Sequence, residues 1–182
     1  GCVRALVSRL APGPSTPPPA KTRDRLIRAV ALQKRDFRLV LAGMRGVHAQ
    51  SIEALITELG VADQVQLTGW IPREELYRLY ERADAFIYPS TFEGFGMPVL
   101  EAMACGTPVV TSNLSALPEV AGDAGLLVDP YDPHAISNAL AELLESQPMR
   151  EELSRRGLDR ARRFTWHQVA EQTLRVYEKG ES

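Results

Sequence analysis

The 182-residue sequence has a formal net charge of −2, with 45% apolar and 24% charged residues. A nucleic-acid-binding protein would usually be clearly basic, so this charge argues against that class. No apolar run reaches the roughly 20 residues that span a bilayer, and the composition is ordinary for a globular protein with a hydrophobic core. The two cysteines, Cys2 and Cys105, form no metal-binding or redox motif, which favours a reducing, cytoplasmic compartment.

Apolar runs and helical patterns alternate along the chain. The runs predict strands at Val3–Ser8, Arg38–Gly43, Gln64–Gly69, Ala85–Ser90, Thr107–Ser112 and Gly125–Pro130. Between them, apolar residues at helical spacing predict helices at Lys21–Gln33, Val47–Leu59, Arg73–Ala83 and in "MPVLEAMACG". This alternation indicates a three-layer, doubly wound α/β domain: a parallel sheet of about six strands with helices on both faces.

The rest of the chain is predicted to be helical, with breaks at Pro148 and near Thr165. Its helices are expected at Pro133–Ser146, Met149–Phe164 and Trp166–Lys179, so that the final helices occupy about 149–180. The sequence shows neither a second core nor an internal repeat, and residues 1–182 are therefore treated as one domain.

In a doubly wound sheet, ligands bind at the carboxyl ends of the strands where the strand order reverses. With the common order, that crevice lies between the first and fourth strands. The first strand leads to Arg9, and the fourth leads into Glu93–Met97. Both segments are therefore expected at the same crevice.

Two glutamates flank a glycine-containing turn at the end of the fourth strand. Gly94 and Gly96 allow positive φ and a close ligand approach, and the helix that starts near Pro98 offers an anion site at its amino terminus. Glu93 precedes this site and Glu101 lies about one turn into the helix, so the pair could bind hydroxyls on either side of a phosphate. On spacing alone, a loop carboxylate and a helix-dipole partner explain the pair equally well.

The segment "EGFGMPVLE" (Glu93–Glu101) resembles the Glu-x7-Glu signature of retaining GT-B glycosyltransferases of family four, the group 1 glycosyl transferases. The similarity extends over Val65–Asp132 and continues in "FTWHQVAEQTLRVY" (Phe164–Tyr177). It implies one half of a GT-B fold, a single Rossmann-like nucleotide-sugar-binding domain. The acceptor-binding half would precede Gly1, and a chain that begins Gly-Cys-Val fits a piece of a longer enzyme.

The resemblance also implies roles for individual residues. Glu93 would face the donor sugar and Glu101 would bind the ribose. The remaining donor contacts would come from Gly94, Phe95, Gly96, Met97 and Pro98 around the diphosphate, and from Gly69, Trp70 and Ile71 around the base. Family members bind the diphosphate through an Arg and a Lys after the first strand, and Arg9 and Lys21 fit this pair, although the Pro-rich segment Ala11–Pro19 separates them more than usual. The catalytic set is thus Glu93, Arg9 and Lys21.

The implied reaction transfers a hexose, with mannose as first choice, from a GDP- or UDP-linked donor to an acceptor hydroxyl with retention of configuration. The acceptor would be a saccharide or a lipid-linked sugar, as in polysaccharide biosynthesis, without a metal or cofactor. Without its other half, the chain is expected to be inactive. The alternatives are a non-catalytic nucleotide-sugar-binding module and a GT-B epimerase, which the match at Glu93–Glu101 disfavours.

Several other residues have mainly structural explanations. His48, His134 and His167 lack metal-ligand spacing. Asn113 fits a pocket lining or a turn equally well, and Glu119 is expected to cap or begin a short helix. The five arginines of Arg155–Phe164 favour a solvated face over a peripheral contact with the inner membrane face. The resemblance implies that the last helix reaches the absent half, which would leave its apolar residues partly exposed: Val169, Leu174, Val176 and Tyr177.

Overall fold

The computed structural model describes residues 4–9, 20–33, 37–43 and 47–180. Its six strands are β1 (Arg4–Arg9), β2 (Phe37–Ala42), β3 (Val65–Gly69), β4 (Ala85–Tyr88), β5 (Val109–Ser112) and β6 (Gly125–Val128). Its helices are α1 (Ala20–Ala31), α2 (Val47–Glu58), α3 (Arg73–Arg82), α4 (Met97–Ala104), α5 (Leu117–Ala121), α6 (Pro133–Glu145), α7 (Gln147–Ala161) and α8 (Trp166–Gly180). The predicted alternation of strands and helices is confirmed, with boundaries that differ by a few residues.

The six strands form one parallel sheet in the order β3-β2-β1-β4-β5-β6. The strand order reverses between β1 and β4, which pair through Leu6 with Ala85 and Val7 with Phe86. The segments that follow β1 and β4 therefore leave the sheet at its switch point, as the sequence predicts.

Two hydrophobic clusters lie on opposite faces of the sheet. Along β4, Phe86 and Tyr88 belong to one cluster and Ile87 to the other, as expected from the alternation of side chains in a strand. The Phe86 face is covered by α3, α4 and α5, and the Ile87 face by α1, α2 and α6. These three layers confirm the predicted doubly wound class.

The predicted helix break at Pro148 is wrong. Pro148 lies in the first turn of α7, and the chain breaks two residues earlier, at Ser146. Ser146 Oγ accepts a hydrogen bond from the Met149 N–H at 3.2 Å and so caps α7. Proline suits this place because the first N–H groups of a helix have no partner within it.

Helix α8 exposes its apolar side chains. Trp166 is 86% exposed, Leu174 60% and Tyr177 71%, and Val169 and Val176 are also exposed. The predicted exposure of this apolar stripe is confirmed. None of the described helices is both long and apolar enough to cross a membrane.

Candidate functional site

The turn between β4 and α4 depends on one of its two glycines. Gly96 precedes α4 with φ +107°, and a Cβ at this position would lie 2.7 Å from Leu117 Cδ2. Both conformation and space therefore require glycine. Gly94 lies outside the left-handed region, and a Cβ there would meet nothing within 4 Å. The expectation that both glycines provide positive φ is thus wrong for Gly94.

The amino end of α4 offers the positive end of the helix dipole but few N–H donors. No side chain caps this end. Pro98 has no N–H, and the Val99 N–H donates to the Gly96 carbonyl at 3.0 Å. An anion would therefore bind here through the dipole and the first backbone groups of the turn.

Glu93 is fixed by two residues that the sequence did not single out. The Tyr88 hydroxyl donates to Glu93 Oε1 at 2.6 Å. The Ser115 hydroxyl donates to the Glu93 carbonyl at 2.6 Å and accepts from the Glu93 N–H at 3.2 Å. Glu93 thus has a defined backbone and a defined carboxylate position in the turn.

Glu101 lies on α4 with a side chain that is only 12% exposed. Its Oε1 is 3.6 Å from Nη2 of Arg73, the first residue of α3. A hydrogen bond from Arg73 to the Tyr77 hydroxyl, with the charge of Glu101 adding to it, raises the pKa of Arg73 above its ordinary value. Because Arg73 is mostly exposed, this ion pair is weakly stabilising, and a ligand diol could replace it at Glu101.

The segment predicted to contact a base follows β3 and leads to Arg73. Gly69 takes φ +66°, and its carbonyl accepts a hydrogen bond from the Gly43 N–H at 2.7 Å. Trp70 is 64% exposed, whereas Ile71 packs against the α3–α4 side of the core. Since Arg73 contacts Glu101, the structure brings this segment beside the second glutamate.

The segment just after α7 contacts the turn through an aromatic pair. Phe95 meets Phe164 edge to face, with ring centroids 5.8 Å apart. The Arg160 guanidinium lies 5.4 Å from the Phe164 ring centroid and donates to the carbonyls of Val120, at 3.1 Å, and Glu119. The Arg160–Phe164 brace, as we name this pair, links α5, α7 and the turn.

The predicted diphosphate ligands are only partly described. Arg9 ends β1 beside Ala42 of β2, and Lys21 is the second residue of α1. Their side chains and the segment between β1 and α1 lie outside the described residues. Their joint role stays a prediction.

The other polar candidates have structural roles or exposed positions. Asn113 follows β5, and its N–H donates to the Val128 carbonyl at 2.9 Å. Glu119 lies within α5 and does not cap it. His134 and His167 are exposed, and the side chain of His48 lies outside the described part. Among described residues, no cluster of His, Cys, Asp and Glu could hold a metal ion.

Three of the five arginines between Arg155 and Phe164 are paired with carboxylates of α7. Arg155 and Arg156 contact Glu152 at 2.9 and 2.7 Å, and Arg162 contacts Asp159 at 3.1 Å. Hydrogen bonds from Arg155 and Arg156 lower the pKa of Glu152 to about 2. This arrangement supports a solvated, internally neutralised face.

The parallel sheet and the switch-point turn define a doubly wound α/β domain that is similar to halves of known GT-B proteins. The sucrose-phosphate synthase from Thermosynechococcus elongatus superposes with a TM-score of 0.82 at 30% identity over 97% of this chain and 45% of its own. An Anabaena protein solved with UDP-glucose gives a TM-score of 0.82 at 22% identity over 97% of this chain and 49% of its own. The predicted fold class is confirmed.

The family follows from the sequence comparison. The model of the family "Glycosyl transferases group 1" matches residues 17–160. The O-antigen chain mannosyltransferase B of Escherichia coli is 43% identical over 141 residues, which are 78% of this chain and 37% of that protein. The chain belongs to the group 1 glycosyl transferases. It spans about two fifths of the length of the curated relatives it matches.

Proposed function

We propose that this chain is the donor-binding domain of a retaining hexosyltransferase that uses a nucleotide-diphosphate sugar. The observation that carries the proposal is the placement of Glu93 and Glu101 on either side of the α4 amino terminus, at the switch point of the sheet. Ligands of doubly wound folds bind at this point. The spacing suits a ligand with hydroxyls at both ends and a negative charge between them.

In the proposed complex, the diphosphate lies against the turn and the start of α4, where the helix dipole favours negative charge. Glu93 accepts hydrogen bonds from the sugar hydroxyls, and Glu101 exchanges Arg73 for the ribose diol. The base lies along Gly69, Trp70 and Ile71. Arg9 and Lys21 add positive charge on the β1 side.

The proposed chemistry relies on stabilising the departing diphosphate. The bond between the anomeric carbon and the diphosphate oxygen breaks, and the acceptor oxygen bonds to the same face of the sugar. The acceptor proton passes to the departing oxygen, and the configuration is retained without a protein nucleophile. Positive groups around the diphosphate lower the barrier as its charge grows, and no metal or cofactor is required.

The donor is proposed to be GDP-mannose, with UDP-linked sugars as the competing choice. The mannosyltransferase relative from Escherichia coli supports mannose. The Anabaena protein solved with UDP-glucose supports a nucleotide sugar in this fold. The proposed acceptor is a saccharide or lipid-linked sugar of polysaccharide biosynthesis at the cytoplasmic side of a membrane, bound by a preceding acceptor domain.

A second candidate is a nucleotide-sugar-binding module without its own catalysis. It needs only the placement of Glu93 and Glu101 around the amino terminus of α4, and no acceptor domain. The two candidates differ in one measurement, transfer of radiolabelled mannose to membrane acceptors. The module predicts no transfer, whether or not a preceding domain is present.

Calorimetric titration with GDP, UDP and ADP tests the site. We expect one nucleotide to bind and Glu101→Ala to weaken it about tenfold, because a charge-assisted hydrogen bond is lost. Glu58→Ala, at the exposed end of α2, is the matched control and should change nothing. No binding at millimolar concentration would refute the donor site, and normal binding by Glu101→Ala would refute the ribose role alone.

A further inference from the structure

Ser115 fixes the backbone of Glu93 on both sides. The Glu93 N–H donates to Ser115 Oγ at 3.2 Å, and the same hydroxyl donates to the Glu93 carbonyl at 2.6 Å. A hydroxyl has one proton and two lone pairs, so it makes both bonds at once. The turn after β4 is thereby tied to the loop after β5.

Ser115 is itself in a strained conformation. It has φ +59°, and it is the one non-glycine residue with positive φ in the described part of the chain. Such a conformation is uncommon for a residue with a side chain, and strained residues cluster at active sites and ligand-binding segments. Here the strained residue, Ser115, is hydrogen-bonded to Glu93, the residue proposed to bind the donor sugar.

Tyr88 fixes the Glu93 side chain from within the sheet. Tyr88 is the last residue of β4, is 5% exposed, and stacks on Phe86 with centroids 5.8 Å apart. Its carbonyl accepts a hydrogen bond from Thr111 Oγ1 at 2.9 Å. From this buried position its hydroxyl donates to Glu93 Oε1 at 2.6 Å, the short distance typical of a charge-assisted bond.

We propose that Tyr88 and Ser115 are positioning residues for the donor sugar, which hold the Glu93 carboxylate in the orientation that receives the sugar hydroxyls. The inference rests on the proposed function, because that function places the sugar at Glu93. An ionised carboxylate accepts about four hydrogen bonds, so the bond from Tyr88 leaves room for hydroxyls. Without this bond, the Glu93 side chain would change rotamer freely in the unbound protein. It would lose that freedom when the sugar binds, and this loss lowers the affinity for the sugar.

Calorimetry of Tyr88→Phe tests this role, because the variant keeps the stacked ring and removes one hydroxyl. The affinity for GDP-mannose is compared with that for GDP, and the affinity for UDP-glucose with that for UDP. We expect the nucleotide sugar to bind about tenfold more weakly and the bare nucleotide to change less than about twofold. Ser115→Ala should act in the same direction. Tyr177→Phe, at an exposed position on α8, should change neither.

If Tyr88 had a purely structural role, its loss would weaken the binding of nucleotide and nucleotide sugar equally. The ratio of the two affinities would then stay unchanged, and this result would overturn the inference. If the wild-type chain binds no nucleotide, the proposed function fails and this inference fails with it. Binding with an unchanged ratio in Tyr88→Phe removes the inference alone. A crystal structure gives a second readout: we expect a displaced Glu93 carboxylate in Tyr88→Phe, and an unmoved one would contradict the proposal.

Discussion

Gly96 and Gly94 are two residues apart and differ in whether they can accommodate a side chain. Gly96 is buried in a left-handed conformation against Leu117. Gly94 is exposed with open space where a side chain would begin. The Gly-Phe-Gly pattern therefore combines one required glycine with one that the fold itself does not need.

Gly96→Ala is expected to lower the free energy of unfolding by about 2–4 kcal/mol, because the new methyl group adds both φ strain and a clash with Leu117. Gly94→Ala, the matched control, should change it by less than about 0.5 kcal/mol. Urea denaturation of both variants measures the difference. Equal stabilities would contradict the assigned geometry.

The residues that contact Glu93 show where sequence reasoning ends. Glu93 and Glu101 are found from their spacing around a turn. Tyr88 looks like an ordinary strand residue, because nothing in "AFIYPS" shows that its hydroxyl reaches back to Glu93. Ser115 is 22 residues from Glu93, and its contact depends on the pairing of β4 with β5.

At the level of elements, the Arg160–Phe164 brace joins α7 to the turn. Arg160 bonds the carbonyls at the end of α5, and Gly122 leaves space for it, since a Cβ there would lie 3.0 Å from Arg160 Cζ. The pattern of five arginines predicts a solvated face, which Arg155, Arg156 and Arg162 confirm. Arg160 is the exception that only packing against α5 could show.

Arg160→Ala should lower the free energy of unfolding by about 1–2 kcal/mol, because charged hydrogen bonds and a cation–π contact are lost. Arg163→Ala, an exposed neighbour, is the control and should remain within about 0.5 kcal/mol of wild type. Thermal and urea unfolding both test this difference. If the two variants had the same free energy of unfolding, the Arg160–Phe164 brace would not contribute to stability.

Helix α7 also gives a pH prediction through Glu152. Its pKa of about 2 lies below the unfolded value of about 4.3, so its ion pairs contribute stability above the unfolded pKa. That contribution is lost as the pH falls through the folded pKa. The difference in thermal midpoint between wild type and Glu152→Gln should be small, since Glu152 is exposed to solvent screening, and should vanish towards about pH 2. An NMR titration that gives Glu152 an ordinary pKa would contradict the assignment.

The elements themselves were largely predictable because each strand is a short apolar run bounded by polar or turn residues. The helix boundary at Pro148 was not, because proline is also accommodated in the first turn of a helix, here as the second residue of α7 after the capping Ser146. The predicted bounds of β4 and β5 were too long, since "PS" after Tyr88 and "TP" before Val109 are buried like strand residues but lie outside the two strands.

At the scale of the whole molecule, α8 is unlike the other helices. Its large apolar side chains face solvent, whereas those of α6 are buried in the core. Helices with this pattern are stabilised by a partner surface. In the proposed enzyme that surface is the preceding acceptor domain.

Leu174→Ala should leave the free energy of unfolding within about 0.5 kcal/mol of wild type, because Leu174 is 60% exposed. Leu140→Ala, the same change at a fully buried position on α6, should lower it by about 2–5 kcal/mol. Urea denaturation of the chain separates the two. A large cost for Leu174→Ala would mean that α8 packs on this domain.

The bonds from Ser115 to Glu93 and the packing of Leu117 against Gly96 make two stretches that are distant in sequence structurally dependent on each other. A change of side-chain size at Leu117 alters what residue 96 can be, and a change at Ser115 alters where residue 93 lies. Members of the family that diverge in donor sugar are therefore expected to exchange residues 93–96 and 115–117 together. If residues 93–96 alone were exchanged into a relative, the residues at 115 and 117 that determine the conformation of this turn would be missing.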